Sequence, residues 1–168
     1  MESGTSRIET GAFDVPGVTW TSVSGRLIGV RRITVGIWLG IPLVGALALA
    51  VIFGSAVWIA PAVIAGFLVW AWWLIPRQVR SIGYAELEDD LLIRKGVLFR
   101  SLSVVPYGRM QYVDVQAGPL TRRAGIAQVQ LHTASASSDA SIPGLPESEA
   151  ARLRDRLTEA GEARLAGL

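Results

Sequence analysis

The side chains able to do chemistry in this chain are few, and their spacing does not favour it. His132 is the only histidine and there is no cysteine. No His/Cys metal cluster and no cysteine nucleophile can therefore be assembled. By alternation His132 shares a strand face with Gln128 and Gln130, which suits an ordinary strand or loop-edge histidine. Ser101, Ser103, Ser135, Ser137 and Ser138 have no base close to them in sequence, and a serine nucleophile needs one in space. Asp89-Asp90 is a carboxylate pair, but adjacent acids of this kind favour a tight turn over acid–base work. Gly36, Gly40 and Gly45 are no phosphate loop, because they stand inside an apolar run. The expectation is a protein that is not an enzyme and holds no cofactor and no metal.

Two patterns are left, and both concern a bilayer. Arg77, Arg80 and the pair Arg122-Arg123 are candidates to meet anionic lipid, each worth about 1 kcal/mol near such a surface. For Arg122-Arg123 the alternative is a solvated basic turn. Gly36 and Gly40 form a small-xxx-small pair, which lets membrane helices approach closely. It would serve packing within one hairpin or association with another chain.

The element that positions these residues is an uncharged run of 44 residues, Ile33 to Pro76, bracketed by Arg31-Arg32 and by Arg77 and Arg80. About 20 apolar residues cross a bilayer. One helix of this length would measure about 66 Å, so the run must fold back, near Gly54-Ser55. Residues 33–53 hold twelve of Leu, Ile, Val and Phe, enough to favour insertion by several kcal/mol at about −0.3 to −0.6 each. Pro42 and Pro61 fall within the spans; Pro61 also fits the first turn of a later-starting helix. The flanking arginines and the uncharged turn place both termini in the cytoplasm, with Trp70, Trp72 and Trp73 as an inner aromatic belt. The first span begins too late and runs too long for a cleavable signal peptide.

Elsewhere the pattern is that of a small β domain. Residues 1–17 read as a disordered polar leader. Residues 18–32 are a juxtamembrane segment, in which Trp20, Val23, Leu27 and Val30 either line an interfacial helix or belong to an irregular leader. Strands are predicted at Ile82–Glu88, Leu91–Leu98, Ser101–Val105, Gln111–Ala117, Ile126–Thr133 and Ala140–Ile142. The breaks are Asp89-Asp90, Pro106, Gly118-Pro119 and Pro143-Gly144, with a basic turn or single helical turn at Leu120–Gly125. An amphipathic helix starts at Pro146, buries Ala150, Leu153, Leu157 and Ala160, and stops at Gly161. The domain so defined is residues 80–168. A net charge of +2 is too mild to argue for nucleic acid.

The run Leu91–Arg100, then Val104-Val105-Pro106-Tyr107-Gly108-Arg109-Met110-Gln111-Tyr112-Val113, then Gly118-Pro119-Leu120 through Gly125-Ile126, then Leu131-His132-Thr133-Ala134, resembles the bacterial pleckstrin-homology-like domain of YdbS-type membrane proteins. The resemblance covers roughly Val18 to Leu157, and Gly-Pro-Leu-x-x-x-x-Gly-Ile is its most specific part. It implies a membrane helical hairpin followed by an all-β PH-like sandwich or barrel capped by the C-terminal helix, in the bacterial cytoplasmic membrane, with no established enzyme activity. Phosphoinositide-binding PH domains use basic residues at the first hairpin loop. Here that turn reads Glu86-Leu87-Glu88-Asp89-Asp90, so phosphoinositide binding is not expected. The resulting expectation is a bilayer-anchored interaction module with a protein partner. The resemblance suggests a larger membrane protein with repeated domains of this kind, and self-association through the glycines is a further option. The alternative is a small pore-forming or transport component, against which stands the lack of an ionisable residue in either span.

Overall fold

The computed structural model describes residues 17–54, 58–134 and 139–166. The uncharged run folds into two long helices, α1 (Arg26–Phe53) and α2 (Ile59–Arg80), packed against each other. Gly54, at φ +84°, ends α1. Pro61 lies in the first turn of α2, where its missing N–H is one of the helix's unpaired donors in any case.

Both helices extend beyond the uncharged run at their polar ends. The first begins seven residues before Ile33, and the second continues through Pro76 to Arg80. The reason is packing. Leu27 of α1 and Ile75 and Val79 of α2 are buried in the core of the β domain. The juxtamembrane pattern is thereby resolved: Val23 and Leu27 are core residues, and neither the interfacial helix nor the irregular leader describes the segment.

Thr21–Ser22 forms a short strand, β1, and the strands after the helices are β2 (Gly83–Glu86), β3 (Asp90–Lys95), β4 (Ser101–Pro106), β5 (Met110–Gln116), β6 (Ile126–Thr133) and β7 (Ala140–Pro146). They make two antiparallel sheets, ordered β1-β2-β3-β4 and β5-β6-β7. The strand before the helices was not expected. Its presence makes the apolar pair an insertion between the first two strands of the sandwich. The acidic turn is therefore the second connection, not the first.

Alternation sets the inner face. In β6, Ala127, Val129, Leu131 and Thr133 are buried while Gln128, Gln130 and His132 are partly exposed. The β6–β7 register slips between Ala127 and Val129. The seventh strand runs through Pro143-Gly144 instead of stopping there. Gly144 sits at φ +74°, and a Cβ on it would lie 2.8 Å from the Leu27 side chain. Its carbonyl accepts from Ser24 N–H at 2.9 Å. Glycine is thus required both by the backbone angle and by the close approach of α1.

A short helix α3 (Pro119–Arg123) bridges β5 and β6. The last helix, α4 (Glu147–Ala166), closes the sandwich through Ala150, Leu153 and Leu157. It does not stop at Gly161, which is buried; a Cβ added there would lie 3.8 Å from the Tyr107 carbonyl oxygen. Residues 1–16 of the predicted disordered leader at 1–17 lie outside the described residues, as do most of the turn after Gly54 and of the loop before Asp139.

Candidate membrane-facing interface

The arginine candidates gather where the two long helices enter the β domain. Pro76 lacks an N–H, so the carbonyl of Trp72, four residues earlier, loses its helical donor. Arg32 of the neighbouring helix donates to that carbonyl from Nη2 at 3.5 Å, a long contact, and its guanidinium lies 5.4 Å from the Trp72 ring. Arg32 Nε is buried with no hydrogen-bond partner among the described residues. Arg77 stacks on Trp73, 3.4 Å from the ring centroid. Arginine over tryptophan is a favourable pairing where the ring is partly desolvated. Trp70, Trp72 and Trp73 are all about half exposed, as residues of an interfacial belt would be. Arg80, at the end of α2, is exposed.

The fold brings the other arginine pair to the same end. Leu120, Arg123 and Ala124 form one wall of a groove whose other wall is Arg26, Val30 and Ile33 of α1. Arg26 Nη1 donates to the Ala124 carbonyl at 3.4 Å, holding the short helix α3 against α1. Arg122 and Arg123 are exposed. Arg123 therefore shares a groove with Ile33, the first residue of the uncharged run.

Gly36 and Gly40 are placed differently from one of the two expected ways. A Cβ added to either would meet nothing within 4 Å. They do not form a close contact with α2, so the reading of a tight intra-hairpin seam is corrected. The α1–α2 packing is carried by other side chains.

The acidic turn lies at the opposite end of the sandwich. β2 leaves α2 within three residues, so its far end, Glu86, and the turn after it point away from the helix termini. Leu87 N–H donates to the Asp90 carbonyl at 2.9 Å, closing the turn. Glu86 is also not a free charge. Arg152 Nη2 donates to it at 2.6 Å and to Glu149 at 2.7 Å, and Arg156 lies 2.9 Å away. Tyr84 donates its hydroxyl to Glu149 at 2.7 Å. The Arg152 guanidinium, then the Tyr84 hydroxyl, hold the Glu149 carboxyl at about 2. Burial, then Glu149, pushes the Tyr84 phenol well up. This network fastens α4 to β2.

His132 stacks on Tyr112 with ring centroids 4.3 Å apart, and its Nδ1 lies 3.0 Å from Asp139. Asp139 also accepts from Thr133 N–H at 2.9 Å, which lowers its pKa. The contacts tie the β6–β7 connection together. Ser101 and Ser141 stand beside Lys95, whose Nζ donates to Ser141 Oγ at 3.2 Å.

Three features of this end escaped the sequence: the strand at Thr21–Ser22, the Arg32–Trp72 contact, and an exposed hairpin tip after β3. The signal for the tip was present as Gly96 followed by three apolar residues, but Leu91–Leu98 read as one strand. It ends at Lys95.

Comparison with known proteins agrees with this architecture. The family model for the bacterial PH domain matches residues 36–161. The UPF0699 transmembrane protein YdbS of Bacillus subtilis (strain 168) is 32% identical over 105 residues, which is 62% of this chain and 61% of that protein. The chain thus spans less than two thirds of that relative's length. No solved structure matches. With two apolar helices, a seven-stranded two-sheet sandwich and a capping helix behind a family match over most of its length, the chain belongs to the bacterial PH domain family and is a membrane protein of the YdbS type.

Proposed function

We propose that this protein is a non-enzymatic interaction module held on the inner face of the bacterial cytoplasmic membrane. In this reading α1 and α2 both span the bilayer, both termini are cytoplasmic, and the sandwich presents a surface to a protein partner. The observation that carries it is the shared core. Leu27, Ile75 and Val79 of the two helices pack with Tyr84, Ile93, Val129 and Leu153 of the domain. A sandwich built around the ends of its own anchor is held at a set distance and tilt, unlike one on a flexible tether. Such rigidity serves recognition of a partner in the same membrane, because orientation is settled before encounter.

The orientation follows the arginines at residues 26, 31, 32, 77 and 80, all at one end of the helix pair. Arg77, Arg80, Arg122 and Arg123 are the residues proposed to meet anionic headgroups. The partner proposed is a larger membrane protein carrying repeated domains of the same kind.

Two experiments test the reading. A periplasmically active reporter should be silent at Leu168 and active when inserted at Gly54-Ser55; the reverse pattern would refute the topology. Affinity capture from detergent-solubilised membranes should return a PH-domain membrane protein in stoichiometric amount. Ion flux through vesicles holding the purified protein alone would favour a pore instead.

A further inference from the structure

The five-residue connection between β3 and β4 ends in an apolar point with no cover. Leu98 is 67% exposed and Phe99 90% exposed, with Val97 beside them. These large side chains sit at a tight turn. Gly96, at φ +100°, is forced by geometry, because a Cβ there would stand 1.8 Å from the Phe99 carbonyl oxygen. The chain is thus shaped to push Leu98 and Phe99 outward.

The turn lies at the helix end of the sandwich. Arg94 pairs in register with Gly83, three residues after α2 ends, so β3 runs back towards the helices. Ser81, the residue that caps α2, shares an open cleft of about 280 Å³ with Val97 and Arg100. Lys95 lies close enough to Arg31 of α1 for the two positive charges to oppose each other. Arg31 is two residues from the first residue of the uncharged run.

Charge surrounds the apolar point. The same cleft is lined by Arg94, Lys95 and Arg100. Arg94 also stacks on Trp20, 4.5 Å from the ring. Burial, then the Arg31 charge, depresses the Lys95 pKa. An anion entering the cleft would relieve that opposition. Apolar side chains ringed by basic ones are the arrangement that partitions into the headgroup–acyl boundary of an anionic leaflet.

We infer that the Val97-Leu98-Phe99 tip inserts into the inner leaflet, with the Arg94, Lys95 and Arg100 cleft receiving the phosphate of an anionic phospholipid. The inference rests on the anchoring proposed above and adds an inserted apolar contact to the two helices and the exposed arginines. The tilt that the shared core sets is then the one that brings this tip to the bilayer surface.

The chain has no cysteine, so single-cysteine variants of the full-length protein can carry one fluorophore each. Phe99→Cys places it at the tip, Glu88→Cys at the acidic far turn and Trp38→Cys in α1. Both Phe99 and Glu88 are exposed, so neither change disturbs packing. The probe is quenching by lipids bearing a nitroxide near the headgroup end of the acyl chain, in nanodiscs rich in phosphatidylglycerol and in others of phosphatidylcholine alone. Phe99→Cys should be quenched severalfold more than Glu88→Cys, and the excess should fall in phosphatidylcholine or when Arg100→Gln is added. Quenching at Trp38→Cys with Phe99→Cys no higher than Glu88→Cys would overturn the tip and leave the anchor standing. Tip quenching indifferent both to headgroup charge and to Arg100→Gln would overturn the phosphate cleft. No quenching at Trp38→Cys would overturn the anchor and the tip together.

Discussion

The two ends of the β sandwich are built on opposite principles. At the helix end, cations are left open: Arg80, Arg100, Arg122 and Arg123 are exposed, next to uncovered Leu98 and Phe99. Towards the far end, much of the charge is paired internally, Glu86 and Glu149 being bridged by Arg152 with Arg156 beside them, while Glu88 of the turn stays exposed. Net charge is therefore a poor guide to this protein. Its sum of +2 conceals a basic pole and a partly neutralised acidic one. Which charges remain available to a partner surface is decided by the fold.

The difference predicts unequal sensitivity to mutation, and the joint between helices and sandwich should be most sensitive. Leu27 is 5% exposed and packs against Gly144. Leu27→Ala removes buried methyl groups and leaves a cavity, at a cost of about 2–5 kcal/mol. Unfolding of the full chain in detergent should show that loss as one cooperative transition. If the β domain melted unchanged while only the helices loosened, the shared core would be wrong. The same joint means that a fragment starting at Arg80 would lack β1, Leu27, Ile75 and Val79 from its core, so lipid binding is best measured on the whole protein.

At the basic pole, Arg122→Ala with Arg123→Ala should weaken the attraction to anionic lipid by about 1 kcal/mol per arginine at low salt. The readout is the stability gained on moving the full chain from neutral to anionic nanodiscs. High salt should erase most of the difference, because charges this exposed are screened over about 8–10 Å. An unchanged gain in the double variant would make Arg122-Arg123 a solvated turn.

At the far pole the sign of the pH dependence is fixed by Glu149. Its folded carboxyl is held at about 2, below the ordinary 4.5. A depressed carboxyl contributes stability that is fully present above 4.5 and lost as pH falls towards the folded value. Because the network is largely exposed, solvent screening keeps the effect small. Arg152→Ala should cost about 1 kcal/mol or less at neutral pH. It should also flatten the acid limb of stability between pH 4.5 and 2. An acid limb of unchanged slope would show that Arg152 is not what depresses Glu149.

The two poles were unequally legible in the sequence. The uncharged run, the alternation of β6 and the apolar stripe of α4 declare themselves, because each is a long repeat of one period. The joint does not. Val23 and Leu27 have helix-like spacing, but nothing local says whether lipid or protein lies opposite. A two-residue strand has no period to detect, and Thr21–Ser22 exists only because β2 offers it an edge. Pro143-Gly144 and Gly161 read as stops. Gly144 instead makes room for the Leu27 side chain, and Gly161 is simply carried inside α4, where a Cβ would also fit. Arg122-Arg123 could be named as a basic turn, but its place beside Ile33 depends on where α3 docks. The far network was invisible because Glu86 and Arg152 are 66 residues apart.

The smallest expected effect concerns the glycines of α1, and it separates packing within one chain from packing between chains. Space is open at Gly36 and Gly40, with nothing within 4 Å of an added Cβ. Gly36→Leu with Gly40→Leu should therefore leave the unfolding transition of the monomer in detergent unchanged or slightly raised. Replacing glycine in a helix interior by leucine gains up to about 1 kcal/mol of helix propensity per site and here breaks no contact. A clear loss of stability would mean that the two helices lie closer in the membrane than the structure places them. Crosslinking in the bilayer supplies the second half of the measurement. A dimer fraction that drops in the double variant while monomer stability holds would assign the pair to association between chains. An unchanged fraction would leave Gly36 and Gly40 as small lipid-facing residues beside Trp38, which is 76% exposed on the same helix.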